Sequence, residues 1–104
     1  MSGKISPDRP LDEYRDAVIQ AASNALTAAQ NTLDEGEKIV QILSLTVYLN
    51  ATEDYTTHAK VGDIVSGWLY EQLGDAGVGA RAAIGLATLP GNAPVEVQLV
   101  AAAE

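Results

Sequence analysis

The chain has 104 residues and a formal net charge of −8, from 14 acidic and 6 basic residues. This length predicts one domain, and the absence of a basic run argues against a nucleic-acid surface, because nucleic acids are held first through their phosphates. The chain contains no cysteine, which excludes a disulfide scaffold, a thiolate zinc site and a cysteine nucleophile.

Residues 1–10 predict an incoming loop with at most a short strand, because they contain Gly3, Pro7 and Pro10 and few apolar side chains. They include no apolar segment of the kind found in a secretory signal. No apolar run in the chain approaches the ~18 residues that are needed to span a bilayer. We therefore expect a soluble protein of the cytoplasm with no membrane partner.

A first helix is predicted over residues 11–33. Pro10 suits the first turn of a helix, and acidic residues follow it near the positive end of the helix dipole. The apolar side chains then recur at helical spacing. They are Val18, Ala22, Ala25, Leu26, Ala29 and Leu33. Gly36 provides a stop just beyond this stripe. The stripe is typical of core packing, and a partner-binding face is the alternative.

Residues 38–50, KIVQILSLTVYLN, predict the central strand of a sheet, because the run is rich in β-branched residues and nearly continuous in apolar ones. Alternation assigns Ile39, Gln41, Leu43, Leu45, Val47 and Leu49 to one face, and Val40, Ile42, Ser44, Thr46 and Tyr48 to the other. The second face is mixed in polarity. It suits a subunit contact, with a ligand pocket as the alternative.

The second predicted helix is capped by Asp54 or Thr56 and stops at Gly74. Its apolar side chains give the clearest amphipathic pattern in the chain. They are Val61, Ile64, Val65, Trp68, Leu69 and Leu73. Glycine weakens a helix, so Gly62 and Gly67 indicate close approach to the sheet. His58 is interpreted as a helix-surface residue, because no Cys or spaced carboxylate accompanies it as a metal ligand would require.

Residues 80–101 predict a hairpin of two strands around the turn Pro90-Gly91-Asn92. Each strand carries one charged residue, Arg81 in the first and Glu96 in the second. Diagonal neighbours on one face of an antiparallel pair lie roughly 7 to 8 Å apart, so the two side chains could share a face. Two readings stay open, a ligand site and a solvated ion pair worth only ~0 to 1 kcal/mol.

The segment ARAAIGLATLPGNAPVEVQLVAAAE resembles the C-terminal signature of the RidA/YjgF family of reactive intermediate deaminases, also called L-PSP endoribonucleases. That signature has an arginine, a strand of small residues, a Leu-Pro corner and then V-E-V or I-E-I. Upstream, VYLNATEDYTTHAKV resembles the family's strand and following helix, and YEQLGDAGVGAR resembles its approach to the arginine. The resemblance covers residues 17–103.

Two features depart from the family pattern. Family members commonly have a cysteine two residues after the arginine, where this chain has Ala83. They also begin with a β-hairpin that carries pocket residues, and no such segment precedes the first helix here. We therefore expect residues 1–104 to be a single RidA-like domain that lacks the first two strands of the family.

The resemblance implies an α+β fold like that of chorismate mutase, a mixed sheet with two helices packed on one face, assembled as a homotrimer with ligand clefts at the subunit boundaries. It implies that Arg81 binds the carboxylate of a 2-imino or 2-oxo acid beside Ala83, and that Glu96 is the catalytic residue that activates water. The implied activity is a hydrolase reaction, imine deamination with release of ammonia. No metal or cofactor is implied.

Two further classes of function remain open on the sequence. A trimeric binding protein for small carboxylate metabolites would keep Arg81 and need no catalytic Glu96, whereas a purely structural assembly protein would need neither. Ribonuclease activity, which one family name suggests, fits poorly with a net charge of −8. Ligand binding separates the structural class from the others, and turnover separates the enzyme from the binding protein.

Overall fold

The computed structural model describes all residues from 1 to 104 and has an α+β architecture. In chain order the elements are α1 (Arg15–Gln30), β1 (Ile39–Asn50), α2 (His58–Leu73), β2 (Ala80–Leu86) and β3 (Val95–Ala103). The three strands form one mixed sheet in the order β2-β1-β3. Strand β1 runs parallel to β2 and antiparallel to β3. The predicted fold class, a mixed sheet with two helices, is confirmed.

Both helices pack on one face of the sheet, because the core joins their apolar stripes to alternate residues of β1. Helix α1 contributes Val18, Ala22 and Leu26 at a spacing of four, as its periodicity predicts. The other core contributors are Leu45, Val47 and Leu49 from β1, and Val61, Ile64, Val65 and Leu69 from α2. The first helix is shorter than the predicted residues 11–33 at both ends, because a separate 3-10 turn occupies Leu11–Glu13 and α1 ends at Gln30.

The second helix ends where the sequence predicts, at Gly74, whose φ of 62° is readily available only to glycine. Its start differs from the prediction. The residue that precedes α2 is Thr57, which makes no side-chain capping hydrogen bond, while Asp54 instead accepts a hydrogen bond from the Thr52 hydroxyl at 2.6 Å. No helix combines the length and the apolar character that a membrane span requires.

Strand β1 is central, as predicted, but its alternation breaks near its start. Register shifts interrupt its pairing with β3 between Ile39 and Gln41 and between Ile42 and Ser44. Ile42 is consequently buried, and Leu43, predicted to face the core with Leu45, is 52% exposed. A bulge inserts an extra residue and reverses the faces on its far side, which a period-two pattern does not foresee.

The prediction of a two-stranded hairpin over residues 80–101 is wrong. Strands β2 and β3 form opposite edges of the sheet, and β1 lies between them. The connection from β2 to β3 includes a 3-10 turn at Pro90–Asn92 and passes the end of β1. A buried central strand needs hydrogen-bonded neighbours on both of its edges, and β2 and β3 supply one each.

The N-terminal segment forms a short extension of the sheet at the end of β1, as the predicted incoming loop with a short strand allows. Ile5 is fully buried and forms a parallel bridge with Ala51. Its backbone N–H donates to the Asn50 carbonyl at 2.7 Å, and its carbonyl accepts from Thr52 N–H at 3.0 Å. Gly3 N–H donates to the Asn92 carbonyl at 2.8 Å. The segment thus connects β1 to the turn before β3.

The face of the sheet opposite the helices is not covered. It carries large apolar side chains that are 38 to 52% exposed, namely those of Leu43, Ile84, Leu86 and Val100. Tyr48 lies among them and donates its hydroxyl hydrogen bond to the Gln98 side chain on β3 at 2.9 Å. We refer to this surface as the open face. Exposed apolar clusters of this kind are typical of interaction surfaces.

Candidate functional site

Arg81, the second residue of β2, lies on the helix side of the sheet. Its register partner on β1 is the core residue Leu45, and paired residues point to the same face. The guanidinium therefore reaches α2 and not β3. Its Nη1 donates to Asp63 Oδ1 at 2.8 Å and to Ser66 Oγ at 3.2 Å. Only 26% of the Arg81 side chain is exposed, against 69% for Asp63.

Gly62 is the reason the guanidinium can lie so close to the helix. A Cβ at this buried position would be 3.1 Å from both Cζ and Nε of Arg81, and 3.3 Å from Nη1. Any side chain would thus push the cation outward. The sequence interpretation of Gly62 as a close-approach glycine is confirmed, whereas Gly67 has no atom within 4 Å of its ideal Cβ and is not such a position.

Glu96 lies away from Arg81 within one chain. Its register partner is Tyr48, which alternates with the core residues Val47 and Leu49, so Glu96 points to the open face. Two strand spacings and three residues along β1 place the Cα atoms of Arg81 and Glu96 about 14 Å apart, with the side chains on opposite faces. The structure does not bring these two predicted site residues together.

Glu96 borders a groove between α1 and the outer edge of β3. The groove has a volume of about 320 Å³ and is otherwise lined mainly by small or apolar residues. The lining residues are Ala21, Asn24, Ala25, Pro90, Ala93, Val95, Glu96 and Val97. Glu96 forms no ion pair within the chain.

Ala83, the third predicted site residue, shares the helix side of β2 with Arg81. It pairs with Val47 and is half-buried against the core cluster. The small side chain keeps this part of β2 close to the helix layer. Ala83 is a neighbour of the Arg81 site through the strand backbone, two residues along, and its methyl group faces the core.

His58 is more enclosed than its interpretation as a helix-surface residue suggests. It is the first residue of α2, half-buried, and its ring meets Tyr55 edge-on with centroids 5.4 Å apart. A Cβ at Gly85 would be 2.7 Å from His58 Nε2, so this glycine gives the imidazole its room. Both residues line a groove of about 280 Å³ at the carboxyl end of β2.

Sequence reasoning missed Asp63 and Ser66, the side chains that hold Arg81. They are three residues apart on α2 and so lie on one helical face. The signal was available in Gly62, which precedes Asp63 and marks where the helix meets another group closely. No group of three or more His, Asp or Glu side chains is arranged to hold a metal ion.

Comparison with known proteins identifies the family to which a chain with this fold and this arginine belongs. The family model described as Endoribonuclease L-PSP matches residues 1–103. The chain belongs to this family, and the resemblance to RidA/YjgF proteins is confirmed.

Individual relatives are similar over nearly the whole chain. Protein TCP17 of Trypanosoma cruzi is 26% identical over 98 residues, which is 93% of this chain and 61% of that protein. The crystal structure of Atu1372 from Agrobacterium tumefaciens, a protein of unknown function, has a TM-score of 0.83 at 29% identity and covers 97% of this chain and 64% of that chain. The chain thus spans less than two thirds of the length of these relatives.

A second crystal structure is described as that of a candidate endoribonuclease from Shewanella oneidensis. It has a TM-score of 0.82 at 29% identity, and the match covers 96% of this chain and 66% of that one. The agreement of two solved structures confirms the fold.

Proposed function

We propose that this protein binds small 2-imino and 2-oxo carboxylates and, as a homotrimer, hydrolyses the imino acids to 2-oxo acids and ammonia. The observation that carries the proposal is Arg81, whose side chain is 26% exposed and whose guanidinium lies against α2 at Gly62. Both of its hydrogen bonds come from Nη1, so the donors on Nε and Nη2 have no hydrogen-bond partner within the chain. A planar guanidinium recognises a carboxylate through two parallel hydrogen bonds.

A complete catalytic site requires a second subunit. Since Arg81 and Glu96 lie on opposite edges and opposite faces of the sheet, the Glu96 of one chain does not reach a ligand on its own Arg81. We propose that a neighbouring protomer supplies Glu96 at the subunit boundary. The exposed apolar residues of the open face support such an assembly, because their burial would favour association.

In the proposed reaction the Glu96 carboxylate accepts a proton from water as the water oxygen attacks the imine carbon. Glu96 passes this proton to the imine nitrogen, which gives a tetrahedral carbinolamine and restores the carboxylate. As the carbinolamine collapses, its hydroxyl proton passes through Glu96 to the amine nitrogen, the carbonyl forms and ammonia leaves. One water is consumed, and one 2-oxo acid and one ammonia are formed. Arg81 keeps the ligand carboxylate in place throughout.

A binding protein for carboxylate metabolites is the second candidate. The separation of Arg81 from Glu96 within one chain favours it, because binding needs Arg81 alone. We do not propose the ribonuclease activity of the family description for this chain, since its net charge of −8 opposes binding of a polyanion.

In the experiment, an amino-acid oxidase generates the imino acid in the assay mixture. The release of 2-oxo acid and ammonia is then measured with and without the protein. Arg81→Ala should abolish acceleration and pyruvate binding, since loss of a charge-assisted contact at a partly buried site costs about 1.5 to 3 kcal/mol. Glu96→Gln should slow release while pyruvate still binds. Arg9→Ala and Glu35→Gln are controls at exposed positions that make the same charge changes.

Binding without acceleration by the wild-type protein would establish the second candidate. If pyruvate binding survives in Arg81→Ala, the assignment of Arg81 as the carboxylate receptor is refuted. If Glu96→Gln releases ammonia at the wild-type rate, Glu96 is not the general base.

A further inference from the structure

We infer that Asp63 determines which carboxylates the Arg81 site accepts, favouring those with a cationic nitrogen on the neighbouring carbon over 2-oxo acids. The inference rests on the proposed function and adds a specificity-determining residue to it. Its basis is that Arg81 Nη1 already donates a hydrogen bond to the Asp63 carboxylate at 2.8 Å, so a ligand carboxylate that binds the same guanidinium lies beside a second negative charge.

The two side chains of the Arg81–Asp63 ion pair differ in their exposure to solvent. The guanidinium donates from Nη1 to Asp63 and to Ser66 and lies close to Gly62, and the Arg81 side chain is 26% exposed. Asp63 is 69% exposed and has Arg81 as its only ion-pair partner. The cation is therefore the more enclosed part of the pair, and the Asp63 carboxylate is its solvent-exposed part.

The charge of Asp63 decides which carboxylates bind to the Arg81 guanidinium. Two carboxylates on one guanidinium are closer than the Debye length of ~8 Å at physiological ionic strength, so salt does not screen their repulsion fully. A 2-oxo acid brings a second negative charge and nothing to offset it. A 2-iminium or 2-ammonium acid brings a cation next to its carboxylate, within reach of the Asp63 oxygens as a charge-assisted hydrogen-bond donor.

The consequence for the proposed reaction is discrimination between substrate and product. The protonated imino acid is a zwitterion, and its hydrolysis product is an anion. Asp63 attracts the cationic nitrogen of the imino acid and repels the anionic 2-oxo acid that remains after this nitrogen has left. The step that removes the nitrogen therefore also weakens binding of the product. The net charge of −8 acts in the same direction over longer range.

The test compares alanine and pyruvate, which share a carbon skeleton and differ in the group at the 2-position. Alanine provides a stable cationic nitrogen, and dissociation constants are measured by NMR titration of the wild-type protein and of variants. Asp63→Asn keeps the size of the side chain and removes its charge. Ser66→Ala removes the neutral contact to the same guanidinium, and Glu71→Gln removes a charge elsewhere on α2.

We expect Asp63→Asn to tighten pyruvate binding about fivefold and to weaken alanine binding by a similar factor, because fivefold corresponds to about 1 kcal/mol, the interaction of two charges 4 Å apart in water. Ser66→Ala and Glu71→Gln should leave the ratio of the two constants unchanged. Asp63→Glu, which restores the charge, should restore the wild-type preference for alanine.

The outcomes separate the inference from the function on which it rests. If Arg81→Ala abolishes binding of both ligands and Asp63→Asn leaves their ratio unchanged, or weakens both equally, the inference is overturned and the role of Arg81 stands. If Arg81→Ala binds both ligands as the wild type does, or if the wild type binds neither, the proposed function fails and the role of Asp63 fails with it.

Discussion

Replacing Gly62 by alanine should uncouple the stability of the fold from ligand binding. The added methyl carbon would lie 3.1 Å from Arg81 Cζ and Nε, a few tenths of an ångström closer than ordinary contact. What it meets is the end of a flexible side chain, so the guanidinium can move outward without disturbing the core. We therefore expect displacement of Arg81 from Asp63 and Ser66, and no collapse of α2.

The expected magnitude follows from two opposing terms. Alanine in place of glycine inside a helix stabilises it by about 1 kcal/mol. Loss of the Arg81 contact with Asp63, whose side chain is 69% exposed, costs about 0 to 1 kcal/mol. The net stabilisation is about 0.5 kcal/mol, which corresponds to a rise in melting temperature of about 2 to 4 °C for a domain of this size.

Gly67→Ala is the matched control, because it lies on the same helix and nothing approaches its ideal Cβ within 4 Å. Its full helical gain of about 1 kcal/mol should raise the melting temperature by about 4 to 8 °C. Pyruvate titration and calorimetric melting of both variants complete the experiment. Gly62→Ala should bind pyruvate at least several-fold more weakly, while Gly67→Ala binds it normally. A melting temperature for Gly62→Ala below that of the wild type, or unchanged binding, would refute this reasoning.

Two further predictions concern the backbone and the open face. Gly79→Ala would bring a Cβ into collision with the Ile42 carbonyl oxygen, so the unfolding free energy in a denaturant titration should fall by about 3 kcal/mol or more; a loss under about 1 kcal/mol would mean that the backbone there adjusts freely. Val100→Lys charges the open face at a half-exposed position, so light scattering should show a shift from trimer towards monomer. A wild-type protein that is already monomeric contradicts the proposed assembly.

The helices and the central strand could be predicted because each follows from local periodicity. The spacing of Val18, Ala22 and Leu26 indicates a helix, and the β-branched apolar run of β1 indicates a strand. Local patterns do not say which strands pair. The segments around Arg81 and Glu96 are close in sequence and joined by turn residues, which favoured a hairpin, but the pairing was decided by β1, which takes one of them on each side.

The site was predicted in part for the same reason. Arg81 was identified from the small residues that follow it and from the family resemblance. Its partner was expected on the next strand in sequence, whereas in the structure its partners lie on helix α2. Once β2 lies at the edge of the sheet, a side chain in register with Leu45 must point at α2. The exposure of Leu43 came from a bulge, whose position depends on the pairing of two strands and leaves no mark in the sequence of either.

The attachment of Ile5 has a consequence for local dynamics. Its two backbone hydrogen bonds, to Asn50 and from Thr52, connect the first residues to positions more than forty residues away. Opening this segment exposes a fully buried side chain and frees the end of β1, so it is not a fraying terminus. The Ile5 amide proton should exchange with solvent at a rate close to that of the core strands, and the slowest-exchanging unit of the molecule should include its fifth residue.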